Sequence, residues 1–151
     1  MAPFLIEPGV GIAPIRLGMS REVALAAMEV AGLSFKKTPS CKHPTDAYHR
    51  NGFQIFYMGD EPVVDFLELS RGCEFQVEFR GLSVFEIRAA ELIERIAGEA
   101  PLDRSYPEPG YVFSFPTLGL RFWRPSIPRS NDDPEGRFFQ TVGLGVPTLV
   151  S

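Results

Sequence analysis

Several things are scarce in this sequence, and each scarcity narrows what the chain can be. Cysteine occurs only twice, at Cys41 and Cys73. That is too few for a disulfide framework and fits a reducing compartment, although the spacing leaves one bridge between the two open. Basic charge is short as well: 15 Lys and Arg stand against 19 Asp and Glu, for a net charge of -4. The basic residues are scattered rather than clustered, which excludes a general attraction to nucleic acid or to an anionic membrane surface. No apolar run approaches the roughly 20 residues that span a bilayer, and residues 1–11 lack the basic start and long apolar stretch of an export signal. The expected location is therefore cytoplasmic.

Chemistry-bearing motifs are also missing. No Ser/His/Asp or Cys/His arrangement has a local signature of nucleophilic catalysis. Gly143 and Gly145, in Val142-Gly143-Leu144-Gly145-Val146, are followed by no basic residue or helix start and so do not make a phosphate loop; they read as a bulge or tight packing in a strand. Cys41-Lys42-His43, with Asp46 and His49, gathers possible zinc ligands in nine positions, but in no standard zinc spacing, and a structural site needs four well-placed ligands. The acidic series Asp60, Glu61, Asp65, Glu68, Glu74 and Glu78 could supply acid and base groups only in a pocket that drives their pKa values apart. Outward carboxylates that keep a sheet soluble explain it more simply. The expectation is no catalytic residue, no metal and no cofactor.

What is present suits one domain over residues 1–151: 44% hydrophobic residues, 23% charged residues and 13 Phe can bury a sizeable core. Two helices are expected. The first starts at Ser20, whose hydroxyl can cap a free amide, carries Glu22 at its positive end and stops near Gly32. Val23, Ala26, Ala27 and Val30 would form its buried face. The second opens on a capping box, Ser83 with Glu86, and a staple, Leu82 with Ile87. Phe85, Ala89, Leu92, Ile93 and Ile96 give its stripe, and Gly98 with Pro101 ends it.

Three strand-like runs follow each helix: 52–58, 63–69 and 74–79 after the first, then 111–115, 118–124 and 138–146 after the second. The helix starts Gly18-Met19-Ser20-Arg21-Glu22-Val23 and Gly81-Leu82-Ser83-Val84-Phe85-Glu86-Ile87 echo one another. Phe75-Gln76-Val77-Glu78-Phe79 and Phe139-Gln140-Thr141-Val142 likewise share Phe-Gln-x-Val. Two readings stay open, coincidence and a tandem αβββ repeat over 12–79 and 80–147. Either way the expected class is α+β, an antiparallel sheet of about six strands with two helices on one face and the other face open.

The two helix starts and this order of elements resemble the small bacterial modules of the β-lactamase inhibitory protein and BamE-like type. Their members pair helices with a sheet and bind other proteins; in the inhibitory proteins, tandem modules form a concave sheet surface that grips the partner. The order is also similar to small cytoplasmic proteins of bacterial toxin and immunity loci. The chain departs from these types in having no lipobox cysteine near its start, no evident export signal and no paired cysteines within each repeat.

Period-2 alternation in Leu120-Arg121-Phe122-Trp123-Arg124 places Leu120 and Phe122 inside and Arg121 and Trp123 outside. In 75–79 it buries Phe75, Val77 and Phe79 and turns Gln76 and Glu78 out. In 53–58 both faces are apolar, so that strand is either covered or adds Phe56 and Met58 to the outer surface. Trp, Tyr and Arg dominate interface energetics, so Tyr111, Arg121, Trp123 and Arg124 are the expected partner-binding residues, together with the long polar loop 125–136. The alternative is a core Trp123 with arginines paired to surface carboxylates.

The function expected is a non-enzymatic protein-binding module, an inhibitor or immunity protein, with acidic charge steering it to a basic toxin or enzyme. A small enzyme or ligand carrier using the 41–49 loop or the strand carboxylates is the first alternative, and a structural homo-oligomer is the second.

Overall fold

Alternating buried and exposed side chains along short aromatic and β-branched runs build two sheets over one core. The computed structural model of the chain describes residues 3–30, 35–38, 45–48, 52–72, 75–130 and 132–148, the second of these segments as backbone. The strands are β1 (Phe4–Glu7), β2 (Gly11–Ile12), β3 (Ile15–Arg16), β4 (Phe35–Thr38), β5 (Thr45–Tyr48), β6 (Phe53–Met58), β7 (Val63–Ser70), β8 (Val77–Phe79), β9 (Leu82–Ser83), β10 (Val112–Phe115), β11 (Leu120–Trp123) and β12 (Thr141–Gly145). The helices are α1 (Arg21–Val30) and α2 (Ala89–Ala97). The class is α+β. Among the described residues no helix is long and apolar enough to cross a membrane.

The antiparallel sheet expected from sequence is present and, among the described residues, has seven strands, in the order β10-β11-β12-β7-β6-β5-β4. A second sheet of five short strands, β3-β2-β1-β8-β9, was not anticipated. It takes the run 75–79 out of the large sheet, because Phe4 and Leu5 pair in parallel with Val77 and Glu78. The two Phe-Gln-x-Val segments are therefore not equivalent in the fold, as β8 and β12 lie in different sheets. The first strand after α1 is β4, and the strands that meet at the middle of the large sheet are β7 and β12.

One face of the large sheet is core. Asp46, Ile55, Leu67, Leu144, Leu120 and Phe115 are in register across it, and so are Tyr48, Phe53, Leu69, Val142 and Phe122; all are buried. Phe4 of the small sheet stands on this face, its ring centroid 4.9 Å from that of Phe53. Ala24 and Met28 of α1 and Leu92 and Ile96 of α2 join the same cluster. Burying such side chains is the main stabilising term, about 1.5–3 kcal/mol for each large aliphatic or aromatic group.

Both helices differ in detail from their sequence reading. The amide of Val23 donates to the Ser20 hydroxyl at 3.2 Å, so α1 is capped as expected. Its buried face is Ala24 and Met28, however, while Val23 and Val30 are exposed, Val30 at 89%. The cause is Arg21, which reaches the buried Asp46 and so turns its own helical neighbours at i+3 and i+7 inward. The stop near Gly32 lies outside the described residues. In the second case helix α2 starts at Ala89 rather than just after Ser83, because Leu82 and Ser83 pair with Phe79 and Glu78. The Ser83 carbonyl accepts the amides of Glu86 and Ile87 in a turn before the helix. Extended Arg88 is the cap residue, and its side chain makes no capping hydrogen bond. Phe85, Ala89, Leu92 and Ile96 are buried and Ile93 partly so.

Candidate functional site

The outer face of the large sheet is set by the same register. Thr45, Phe56, Phe66 and Gly145 form one row; Ala47, Gln54, Glu68, Gly143, Arg121 and Ser114 form the next; Ser70, Thr141, Trp123 and Val112 form a third. Alternation in β11 holds: Leu120 and Phe122 are buried, Arg121 is exposed, and Trp123 is 37% exposed. Phe56 is half-buried and Met58 exposed, so the apolar outer positions of β6 do join this surface.

Gly143 supplies the floor. A Cβ on Gly143 would fall 2.1 Å from Cζ of Phe66, and one on Gly145 would fall 3.1 Å from its Cδ2. The two glycines let the Phe66 ring lie directly on β12, which is the tight packing expected of them. Phe66 meets Phe56 edge-on at 5.8 Å between centroids, and the Arg121 guanidinium lies over its ring at 5.6 Å. The segment before β10 brings Tyr106 over the same guanidinium at 5.2 Å. Arg121 is thus held between two aromatic faces. Among the described residues it forms no hydrogen bond or ion pair, so its donors are displayed.

Beside it lies a cavity of about 400 Å³ walled by Phe66, Glu68, Tyr106, Glu108, Arg121 and Trp123. A second, of about 290 Å³, adjoins it across Phe66 and Arg121 and includes Asp65. Glu68 faces Arg121 across Gly143 in the strand register. Burial pushes the Glu68 carboxyl above its ordinary value, and attraction to Arg121 offsets that only in part. Glu108 has a left-handed backbone, φ 63°, and stands between Pro107 and Pro109. Its carbonyl accepts the amides of Tyr111 and Val112, at 3.1 and 3.0 Å.

The four residues expected to bind a partner separate. Arg121 and Trp123 share the cavity. Tyr111 is 39% exposed but lies outside the cavity wall; its carbonyl accepts the Arg124 amide. Arg124 belongs to the scaffold. It is 9% exposed, and its guanidinium donates to the carbonyls of Gly110 at 2.8 Å and Gly136 at 3.1 Å. It thereby pins the loop 125–136 to the segment before β10. Within that loop Asp133 accepts the amides of Arg129 and Glu135, which holds its carboxyl below the usual range. Phe66, Tyr106 and Glu108 carry the site without having been singled out. The sequence reading groups Glu68 with solubilising carboxylates, whereas the fold sets it in the cavity wall.

Of the other candidate chemistry, Cys41, His43, His49, Cys73 and Glu74 lie outside the described residues. Residues 45–48 are strand β5 rather than loop. Asp46 is fully buried and bidentate with Arg21, at 2.8 and 3.0 Å. Tyr48 and Tyr57 are buried next to this pair. Burial first, then the Asp46 carboxylate, raises both phenols, Tyr48 to about 12. Among the described residues no group of three or more His, Cys, Asp or Glu could hold a metal ion.

Fold and site together define an α+β protein in which Thr45, Ala47 and Ser114 of the outer sheet face are buried, while the part-exposed remainder carries aromatic rings that frame one arginine and two carboxylates. Comparison with protein-family models, with curated proteins and with solved structures finds no match for the chain.

Proposed function

We propose that the chain is a non-enzymatic protein-binding module, an inhibitor or immunity protein acting in the cytoplasm, whose outer sheet face grips another protein. One observation carries this reading: Arg121, clamped between Phe66 and Tyr106 beside a part-exposed Trp123, sits on strands whose opposite side is locked into the core. Arg, Tyr and Trp are the residues that dominate binding energy, and they do so best when pre-ordered, because little side-chain entropy is left to lose. The resemblance to inhibitory modules that bind through a sheet surface points the same way.

A ligand carrier is the second reading, favoured by the size of the cavity, which lies within the range of small-molecule sites. Such sites are mainly apolar with few polar groups, whereas this one mixes three charged side chains with three rings. Affinity capture from lysate of the source cells tests the first reading, using the wild-type chain, an Arg121→Ala/Trp123→Ala variant and a Val30→Ser control on exposed helix. A stoichiometric partner kept by the control and lost by the double variant is the expected result. Capture that is indifferent to the double variant would overturn it.

A further inference from the structure

We infer that the cavity beside Trp123 receives a basic side chain, lysine or arginine, of the partner protein. This rests on the protein-binding reading and adds the chemistry of what is bound. The walls carry Glu68 and Glu108 against Arg121, two negative charges and one positive, so one negative charge is uncompensated. Asp65 in the adjoining cavity and the chain's net charge of -4 extend the same field. An acidic guest attracted to Arg121 would have to sit against two carboxylates, and like-charge juxtaposition is strongly unfavourable in an interface.

The rings agree with the charges. Phe66 and Tyr106 already hold a cation over their faces, that of Arg121. Trp123, the aromatic with the strongest attraction for cations, holds none among the described residues, so one cation-binding wall is left for a guest. The backbone that carries Glu108 is fixed in advance: its flanking prolines and the two amides on its carbonyl keep it in a left-handed conformation that a glutamate rarely adopts. Strain of that kind collects at ligand clamps. Glu68, at the other side, is a carboxylate stripped of part of its water, and an incoming ammonium or guanidinium would replace what burial removed.

Trp123 is the only tryptophan in the chain, so its fluorescence reports on this cavity alone. The experiment titrates the full chain at low salt with end-blocked tetralysine, tetraarginine and tetraglutamate. It is repeated on Glu68→Gln/Glu108→Gln, on Glu108→Gln alone, and on Glu29→Gln/Glu94→Gln, which removes the same charge from exposed helix positions. The cationic peptides should give a saturable change, weakened by about tenfold in the cavity double variant, an effect the size of one to two charge contacts. Glu108→Gln, at an exposed position, should weaken it in the same direction, while the helix control should stay close to wild type. Equal weakening in the helix control would show attraction to net charge alone and overturn the inference. So would no response to either cationic peptide. A response to tetraglutamate that disappears in Arg121→Gln would also overturn it while leaving a protein-binding face intact, so this failure is separable from failure of the capture experiment.

Discussion

Replacing Gly143 by alanine tests whether the outer face is built on the contact between Phe66 and bare backbone. Gly143 has an ordinary strand backbone, so what matters is space: the new Cβ would stand 2.1 Å from Phe66 Cζ and 2.9 and 3.0 Å from its two ε carbons. Either the ring stays and the strand is overpacked, at about 1–3 kcal/mol, or it swings away. In swinging it loses the edge-on contact with Phe56, about 0.5–1.5 kcal/mol, and its stacking with Arg121, about 0.5–1 kcal/mol at an exposed site. Alanine recovers about 0.5–1 kcal/mol because glycine is entropically unfavourable in a strand. The net loss should be about 1–2 kcal/mol, read as a lowered denaturant midpoint at unchanged slope. In a Phe66→Ala background the clash is gone and only the recovery remains, so the same substitution should stabilise by about 0.5 kcal/mol. The double-mutant cycle should therefore show a coupling of about 2 kcal/mol. Additive single effects, or a Gly143→Ala chain more stable than wild type, would refute the packing described for this face.

Further outcomes follow from other contacts. Arg21→Ala leaves the buried Asp46 carboxylate without its partner; about 3 kcal/mol of stability should be lost, and Arg21→Met/Asp46→Leu should regain much of it, both measured by chemical unfolding. Glu68→Gln should change stability with a definite sign. A carboxyl raised in the folded state binds more protons there than in the unfolded chain, so its unfavourable effect is absent below the ordinary value of 4.5 and grows as pH rises through the folded value. The glutamine variant should match wild type in acid and be the more stable of the two at neutral pH; a gap that widens toward acid would contradict this. Tyr48 and Tyr57 should resist ionisation in an ultraviolet alkaline titration until the chain unfolds, since burial favours their neutral form. Arg124→Lys should cost about 2 kcal/mol, because an ammonium cannot span the Gly110 and Gly136 carbonyls that the guanidinium joins. Its effect should appear in stability more than in capture of a partner.

Local patterns were legible in the sequence where one physical rule acted alone. Strict alternation in β11 placed Arg121 and Trp123 outside, and the same rule sorted Phe75 to Phe79 correctly, because a half-buried strand leaves its side chains only two directions. The rotation of α1 was not legible. Seven of its ten residues are apolar, so several stripes were possible, and the choice fell to an ion pair between Arg21 and Asp46, 25 residues apart. The capping signature at Ser83 was real chemistry claimed by a competitor, the two-residue pairing of β9 with β8. The site was half legible for a related reason. Arg121 and Trp123 are local, but Phe66, Glu68 and Tyr106 reach them only through strand order and a loop path. A usable clue did exist in Tyr106-Pro107-Glu108-Pro109-Gly110, where prolines on both sides of one acid announce a fixed backbone.

The position of β12 governs when during synthesis this surface can exist. Among the described residues it is the last strand in sequence, yet it lies in the interior of the large sheet, between β7 and β11. Until it inserts, Glu68 and Phe66 on one flank and Arg121 and Trp123 on the other belong to two unjoined ribbons, and the glycine floor between them is missing. A nascent chain leaving the ribosome therefore cannot assemble this face until Thr141–Gly145 has emerged. Chains stopped short of Thr141 would expose an unpaired central edge in place of this face. Completion of this face thus waits on the synthesis of β12, however early its other strands are made.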